Sequence, residues 1–327
     1  MDEIKKILIY RTDRFGDFLI SAPFIKSLKK KYPTHQIEII CSAYNQTLIE
    51  NFYFINKTIV MHDGIINRLK LILKFLFKKY EIIIVLDGKR RSLFHAIWLR
   101  GKIYAVLKNN FLSFFCNFFS INYIINSESN PQLSNFQYLS NLLNFYIDDF
   151  KIFEKYKVKI KNISLPKKFI LFHLDEKWFS NLYHADYTDI NPDTTSVIRI
   201  LNFILKKNIK IVITTGAKKL KIINNLKKII NKKKFLTKNI LILEKTSFNE
   251  ICFVVSKCKS LICCEGGISH LSFFFNKHTI AFYEKSRFQT YYHWTAHMKK
   301  IILYPRMKLK KIVKDPFFFN NLTKIIN

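Results

Sequence analysis

Short aliphatic runs alternate with helix-patterned stretches along most of this chain, and that alternation narrows the accessible folds more than any other feature. In the first half the runs are Ile7 to Tyr10, Ile37 to Cys41, Thr58 to Met61, Ile82 to Leu86 and Ile103 to Val106. Between them lie Phe18 to Lys31, Tyr44 to Asn51, Ile65 to Lys79 and Arg91 to Leu99, each with apolar residues at helical spacing. In Ile65 to Lys79 the periodic set includes Ile66, Leu69, Leu73, Leu76 and Phe77. Alternation at this spacing predicts a parallel sheet covered on both faces. It resumes in the second half with strands at Phe169 to His173, Ile209 to Thr214, Ile240 to Leu243, Leu261 to Cys264 and Thr279 to Phe282. Helices are expected there at Thr194 to Lys207, Lys218 to Ile230, Phe248 to Ser256 and Ile268 to Phe275.

The middle, from about residue 126 to 167, breaks the pattern. A helix is predicted at Gln132 to Tyr146, followed by strand-like Lys155 to Ile160 and then Ser164-Leu165-Pro166. With 327 residues, 49% of them hydrophobic, the chain has material for two cores. We therefore expect an α/β protein with Rossmann-like domains at 1–160 and 161–327, facing each other across a cleft. The last helix, Phe318 to Ile326, is free in this reading to pack back on the first domain.

Two strand-to-helix corners resemble one another. One runs from Tyr10 through Arg11 to Asp17 with Gly16 in the bend; the other runs from Cys264 through Glu265-Gly266-Gly267 into Ile268. Backbone N–H groups are free at such helix starts, and the helix dipole favours anions. Asp17 is open to two roles, a helix cap or a general base. At the second corner two glycines would let a phosphate approach the main chain, and His270 on the first turn is either a phosphate or sugar contact or a structural residue. Thr215 and Gly216 follow another strand on what should be the same edge. No G-x-G-x-x-G, P-loop or Asp-x-Asp pattern occurs, so dinucleotide, NTPase and divalent-metal sites find no motif here.

The balance of 55 Lys+Arg against 23 Asp+Glu leaves +32. Either a polyanionic partner, nucleic acid or an anionic membrane, is involved, or the composition is lysine-rich throughout. The basic residues are scattered rather than gathered into one stripe, which favours the second. Six cysteines show no C-x-x-C pair; Cys41, Cys263 and Cys264 lie in apolar runs, and a reducing cytoplasm is expected. Asp2 and Glu3 lead straight into a strand, so no signal peptide is expected. Phe111 to Ile125, broken by Asn117, Ser120 and Asn122, could rest on a membrane but not span one.

Three blocks carry a family resemblance. Ile7 to Pro33 (ILIYRTDRFGDFLISAPFIKSLKKKYP) is similar to the opening of the glycosyltransferase family 9 enzymes, the lipopolysaccharide heptosyltransferases. Tyr80 to Ser92 (YEIIIVLDGKRRS) is similar to their strand ending in Gly and followed by Arg-Ser, and Phe248 to Tyr283 resembles their C-terminal signature. The resemblance implies a GT-B fold, with acceptor on the first domain and nucleotide sugar on the second.

It further implies Asp17 as catalytic base, with Gly266, Gly267, Ile268, Ser269 and His270 around the donor diphosphate. Lys177 would neutralise donor phosphate, Thr215 and Gly216 would line the donor side, and Arg14 and Arg91 would serve an acidic acceptor. The family usually has Asp where this chain has Glu265, and some members carry a ribose-binding Glu where this chain has Lys218-Lys219. The implied reaction is a single displacement with inversion, needing no cofactor and no metal, followed through by closure of the domains. The donor would be a nucleotide-diphosphate sugar such as ADP-heptose. The acceptor would be a lipid-linked glycan, met by a cytoplasmic enzyme peripheral to the inner leaflet and not binding nucleic acid. The alternative is a non-catalytic sugar- or nucleic-acid-binding protein that uses its positive charge.

Overall fold

The computed structural model of the chain describes residues 4–108, 110–126, 130–156 and 163–327. They form two compact units: Met1–Lys157 with Tyr292–His297, and Val158–Tyr291 with Met298–Asn327. The expected boundary at residue 160, and residues 157–160 of the strand-like segment before it, lie outside the described residues.

The first unit holds β1 (Lys6–Arg11), β2 (Gln36–Cys41), β3 (Lys57–Val60), β4 (Lys79–Val85), β5 (Arg100–Leu107) and β6 (Asn122–Ile125). The second holds β7 (Phe169–His173), β8 (Lys210–Thr214), β9 (Ile240–Leu243), β10 (Ser260–Cys264), β11 (His278–Tyr283) and β12 (Ile301–Pro305). Every pairing is parallel, in the orders β3-β2-β1-β4-β5-β6 and β12-β11-β10-β7-β8-β9. Counted within its own unit, each sheet therefore runs third, second, first, fourth, fifth, sixth. That is the dinucleotide-fold order, whose direction reverses between the first and fourth strands. The ligand end of such a sheet is the carboxyl end at that reversal, here β1/β4 and β7/β10.

The central strands are apolar on both faces because both are covered: all five residues of β7 and of β10 are buried. Helix starts are set by local hydrogen bonds. Ser247 accepts from the Glu250 N–H and Glu250 from the Ser247 N–H, a reciprocal cap on helix Phe248–Lys257. Asp193 caps helix Thr194–Leu205 through the Ser196 N–H. The final helix, Pro316–Ile326, buries Phe318, Leu322, Ile325 and Ile326 in the second unit's core, so its apolar stripe is used there.

Two strands escaped the sequence reading. Phe111 to Ile125 is not one apolar run but a short turn, helix Ser113–Phe118 and then β6. β12, a five-residue strand that follows a Lys-rich turn and ends on Pro305, lacked the length to stand out. Helix Ile65–Phe75 buries Ile72 and Phe75, whereas Ile66, Leu69 and Leu73 of the periodic set face outward.

Candidate functional site

At the β1/β4 end of the first sheet the chain gathers charge that the topology forces together. Arg11, the last residue of β1, is buried, and its guanidinium donates to the carbonyls of Leu86 (2.8 Å) and Asp17 (2.5 and 3.1 Å) and to Asp13 Oδ2 (3.2 Å). It thereby ties the β1 loop, the end of β4 and the start of helix Phe15–Lys31 into one unit. Asp87, just beyond β4, is buried and accepts from the Thr12 hydroxyl (2.6 Å), the Ser92 hydroxyl (2.7 Å) and the Lys89 N–H (3.1 Å). Lys89 Nζ pairs with Asp13 at 2.5 Å.

Asp17 lies in the first turn of its helix, and Oδ2 accepts the Arg14 N–H at 3.0 Å. The cap reading is therefore realised, but it engages one carboxylate oxygen and does not exclude the base reading. Burial pushes the Asp17 carboxyl above the usual range, with Asp13 adding to the rise, while Arg11 and Arg14 oppose it. Arg91 donates to Asp63 Oδ1 (3.1 Å) and Thr12 Oγ1 (3.4 Å). It also lines a cavity of about 540 Å³ with Gly88, Lys89, Arg90, Lys108 and Leu112.

The β7/β10 end of the second sheet is built on a cation. Lys177 follows β7 in a short turn and donates from Nζ to the Glu265 carbonyl at 2.9 Å. Gly266 has φ of +121°, and a Cβ there would run into Lys177 Nζ, so glycine serves both the backbone and the ammonium. Burial works against the Lys177 charge, but Asp175, Tyr183 and Glu265 outweigh it and hold the ammonium above its ordinary value. Asp175, itself buried, takes the Lys177 N–H (3.2 Å) and faces His173 Nε2 at 3.3 Å. His173, His270, Ser269 and Thr215 are all buried near these strand ends.

Glu265 is 4% exposed, and burial raises its carboxyl while Lys177 and Arg306 oppose the rise. Tyr291 donates its hydroxyl to Oε1 at 3.2 Å, and Arg306 Nη1 stands 3.7 Å from Oε2. Arg306, immediately after β12, also donates to the carbonyls of Thr188 (2.8 Å) and Lys177 (2.5 Å). Helix Gly267–Phe274 starts beside this cluster. Ser269 Oγ donates to the Gly266 carbonyl (2.7 Å) and accepts the Gly266 N–H (3.2 Å).

The predicted residues thus fall into two groups. Lys177, Glu265 and Gly266 are in contact, with Gly267, Ile268, Ser269 and His270 on the helix that follows. Gly216 lies against Asp175 and Glu176, the two residues before Lys177. Thr215 is tied to the loop after β9, its hydroxyl accepting the Lys245 N–H at 2.9 Å. In the first unit Asp17 and Arg14 are bonded, whereas the polar contacts of Arg91 run to Thr12 and Asp63. Sequence reasoning passed over Arg11, Asp13, Asp87, Asp175, Tyr291 and Arg306. Asp87 and Lys89 were visible as the polar end of a strand; Arg306 carried no signal because β12 was not recognised. Among the described residues no three His, Cys, Asp or Glu side chains gather as metal ligands, and all six cysteines are buried and unpaired.

Residues 197–317 match the family model of glycosyltransferase family 9 (heptosyltransferase). No curated protein sequence matches the chain. Among solved structures, a family 9 glycosyl transferase from Veillonella parvula superposes with a TM-score of 0.73 at 14% identity, over 100% of this chain and 98% of that one. The Escherichia coli heptosyltransferase WaaC, solved with ADP-2-deoxy-2-fluoro heptose, gives 0.68 at 13%, over 98% of each chain. The UDP-GlcNAc 2-epimerase of Methanocaldococcus jannaschii gives 0.59 at 15%, over 98% of this chain and 93% of that one. Likeness at these identities establishes the two-domain GT-B type fold, which transferases and epimerases share. The family match separates them over the stretch it covers: residues 197–317, which hold β8 to β12 and the whole Glu265–His270 turn, resemble glycosyltransferase family 9.

Proposed function

We propose that this protein is a family 9 glycosyltransferase that moves a sugar, heptose being the first candidate, from an ADP-sugar to a hydroxyl of a lipid-linked surface glycan of the lipopolysaccharide-core type. The observation that carries the reading is Lys177, its ammonium set against Gly266 and the Glu265 carbonyl beside the start of helix Gly267–Phe274. A lysine held charged beside free helix amides is a seat for a diphosphate. The solved WaaC structure with an ADP-heptose analogue supports the choice of nucleotide.

In this reading the donor diphosphate lies along Lys177 and the Gly266 to His270 turn. The acceptor hydroxyl approaches Asp17 in the first unit, where Arg14 and Arg91 meet acidic groups of the glycan. Asp17 takes the hydroxyl proton as that oxygen bonds to the anomeric carbon. The bond to the diphosphate oxygen breaks on the opposite face, so the configuration inverts. Lys177 and the helix start supply the positive charge the leaving diphosphate requires, so the reading calls for no metal ion. Glu265, one methylene longer than the family's usual Asp, turns its carboxylate to Arg306 and Tyr291 rather than to solvent. A cytoplasmic enzyme working at the inner leaflet fits such a substrate pair.

A thermal-shift panel of nucleotide diphosphates and their sugars tests the donor side, because a ligand bound only by the native state raises its melting temperature by mass action. Stabilisation by ADP and ADP-heptose is expected. A response confined to UDP or GDP forms would replace the donor, and no response to any would remove the transferase reading of this corner.

A further inference from the structure

Helices Ile65–Phe75, Arg90–Ile97 and Ser113–Phe118 all cover one face of the first sheet. Their inner residues, among them Phe75, Leu93, Ala96 and Cys116, enter a single apolar cluster with β1, β4 and β5. The outer side of this layer is unusually apolar. The first helix presents Ile65, Ile66, Leu69 and Leu73; the second region presents Phe94 and Trp98. The third presents Phe114 and Phe118, 82% and 76% exposed, with Phe111 exposed just before it and Phe77 just after the first helix. Exposed apolar side chains gathered on one helix layer of a folded domain mark an interaction site.

The second unit does not share this character. All but three of the chain's exposed large apolar or aromatic side chains, among the described residues, belong to the first unit; the exceptions are Phe235, Phe288 and Phe317. The charge around the apolar layer is as one-sided as its hydropathy. Between residues 65 and 119 the chain carries eleven Lys and Arg against two acids, Glu81 and Asp87, and Asp87 is buried. Arg90 sits 5.0 Å over the Phe111 ring and lines the basic cavity with Lys89, Arg91 and Lys108.

We propose that this three-helix face docks the protein on an anionic membrane surface, its aromatic and aliphatic side chains entering the headgroup boundary and its cations meeting lipid phosphates. Exposed Phe, Trp and Leu interleaved with Lys and Arg is the composition that an interfacial helix layer requires. A second copy of the chain would present the same cations to these, so like charges would oppose a face-to-face dimer. The scattered +32 alone would attract lipid to any face; the apolar layer selects this one. The inference rests on the reading of a lipid-linked acceptor only for why a membrane is the surface at hand.

The test is sedimentation of the full chain with phosphatidylcholine vesicles, with and without one-quarter phosphatidylglycerol. Binding to the anionic vesicles is expected, at least tenfold weaker to the neutral ones. Phe114→Ser with Phe118→Ser, and separately Leu69→Ser with Leu73→Ser, should each weaken it at least tenfold, while Phe235→Ser with Phe317→Ser should not. Wild-type binding by both test pairs, or an equal loss in the second-unit pair, would overturn the proposal. So would equal binding to neutral vesicles, or a self-associating protein whose oligomer, rather than its vesicle binding, the test pairs dissolve. Transfer to a soluble acceptor fragment, measured on the same variants, reads the chemistry separately. Docking lost with transfer kept supports this face, and transfer absent with docking kept removes only the catalytic reading.

Discussion

At the reversal point of the first sheet three carboxylates, Asp13, Asp17 and Asp87, crowd around Arg11 and Lys89; at that of the second, Lys177 and Arg306 enclose Glu265. The strand order is the same, so topology cannot account for the difference. What differs is the side chain left with capacity for a ligand. In the first unit it is a carboxylate whose proton affinity burial has raised, and in the second an ammonium whose neighbours hold it charged. One corner is thus suited to accept a proton and the other to neutralise a departing anion. The outer surfaces diverge as well: among the described residues, all but three of the exposed large apolar or aromatic side chains belong to the first unit.

The sharpest way to break this comparison is Asp17→Asn. If the first corner holds the base, the rate of transfer should fall by about a thousandfold with donor affinity unchanged. Because Asp17 must be ionised to act and its carboxyl is raised, the acid limb of the wild-type rate should lie above the ordinary range for aspartate. Stability carries the opposite sign. A raised carboxyl binds its proton more tightly in the folded state, so its contribution is present at low pH and fades as pH rises through the folded value. Urea titrations across that range should show the fade in the wild type and not in Asp17→Asn. Transfer rates that survive the substitution would make Asp17 a cap and nothing more.

Arg306→Met probes the second corner's internal balance. It leaves Glu265 buried beside one cation and strips donors from the Thr188 and Lys177 carbonyls, so unfolding free energy should drop by about 3 kcal/mol. The loss should shrink as pH falls and Glu265 takes up a proton, which chemical denaturation at two pH values measures. An unchanged midpoint would mean that Arg306 only lines the site. Lys177→Ala should weaken nucleoside diphosphate binding by about 2 kcal/mol, roughly thirtyfold, by calorimetry. Acceptor KM should stay where it was; if it moves instead, the assignment of the two corners is reversed. Arg91→Ala should have the smallest effect, about a threefold rise in acceptor KM, because its guanidinium is partly solvated and already paired with Asp63. A change in donor KM with this variant would contradict its place on the acceptor side.

Much of the frame was legible in the residues. Runs such as Phe169 to Phe172 and Leu261 to Cys264 are apolar at every position, as strands buried on both faces must be, and Ser247 with Glu250 marks a helix start by its own hydrogen bonds. Asp17 and the Glu265 to His270 turn stood out because small and acidic residues there interrupt the apolar pattern. Arg306 did not, for it reaches Lys177 across 129 residues and nothing local records that pairing.

The sequence by itself determined the alternation of elements and the two anion-friendly corners, since both depend on spacing within a few residues. Tertiary structure decided which charges meet at each corner, because crossovers bring β1 beside β4 and β7 beside β10. It also decided which side of helix Ile65–Phe75 is buried. The periodicity of Ile66, Leu69 and Leu73 marks an apolar stripe but not its direction, and packing of Ile72 and Phe75 on the sheet turned that stripe outward.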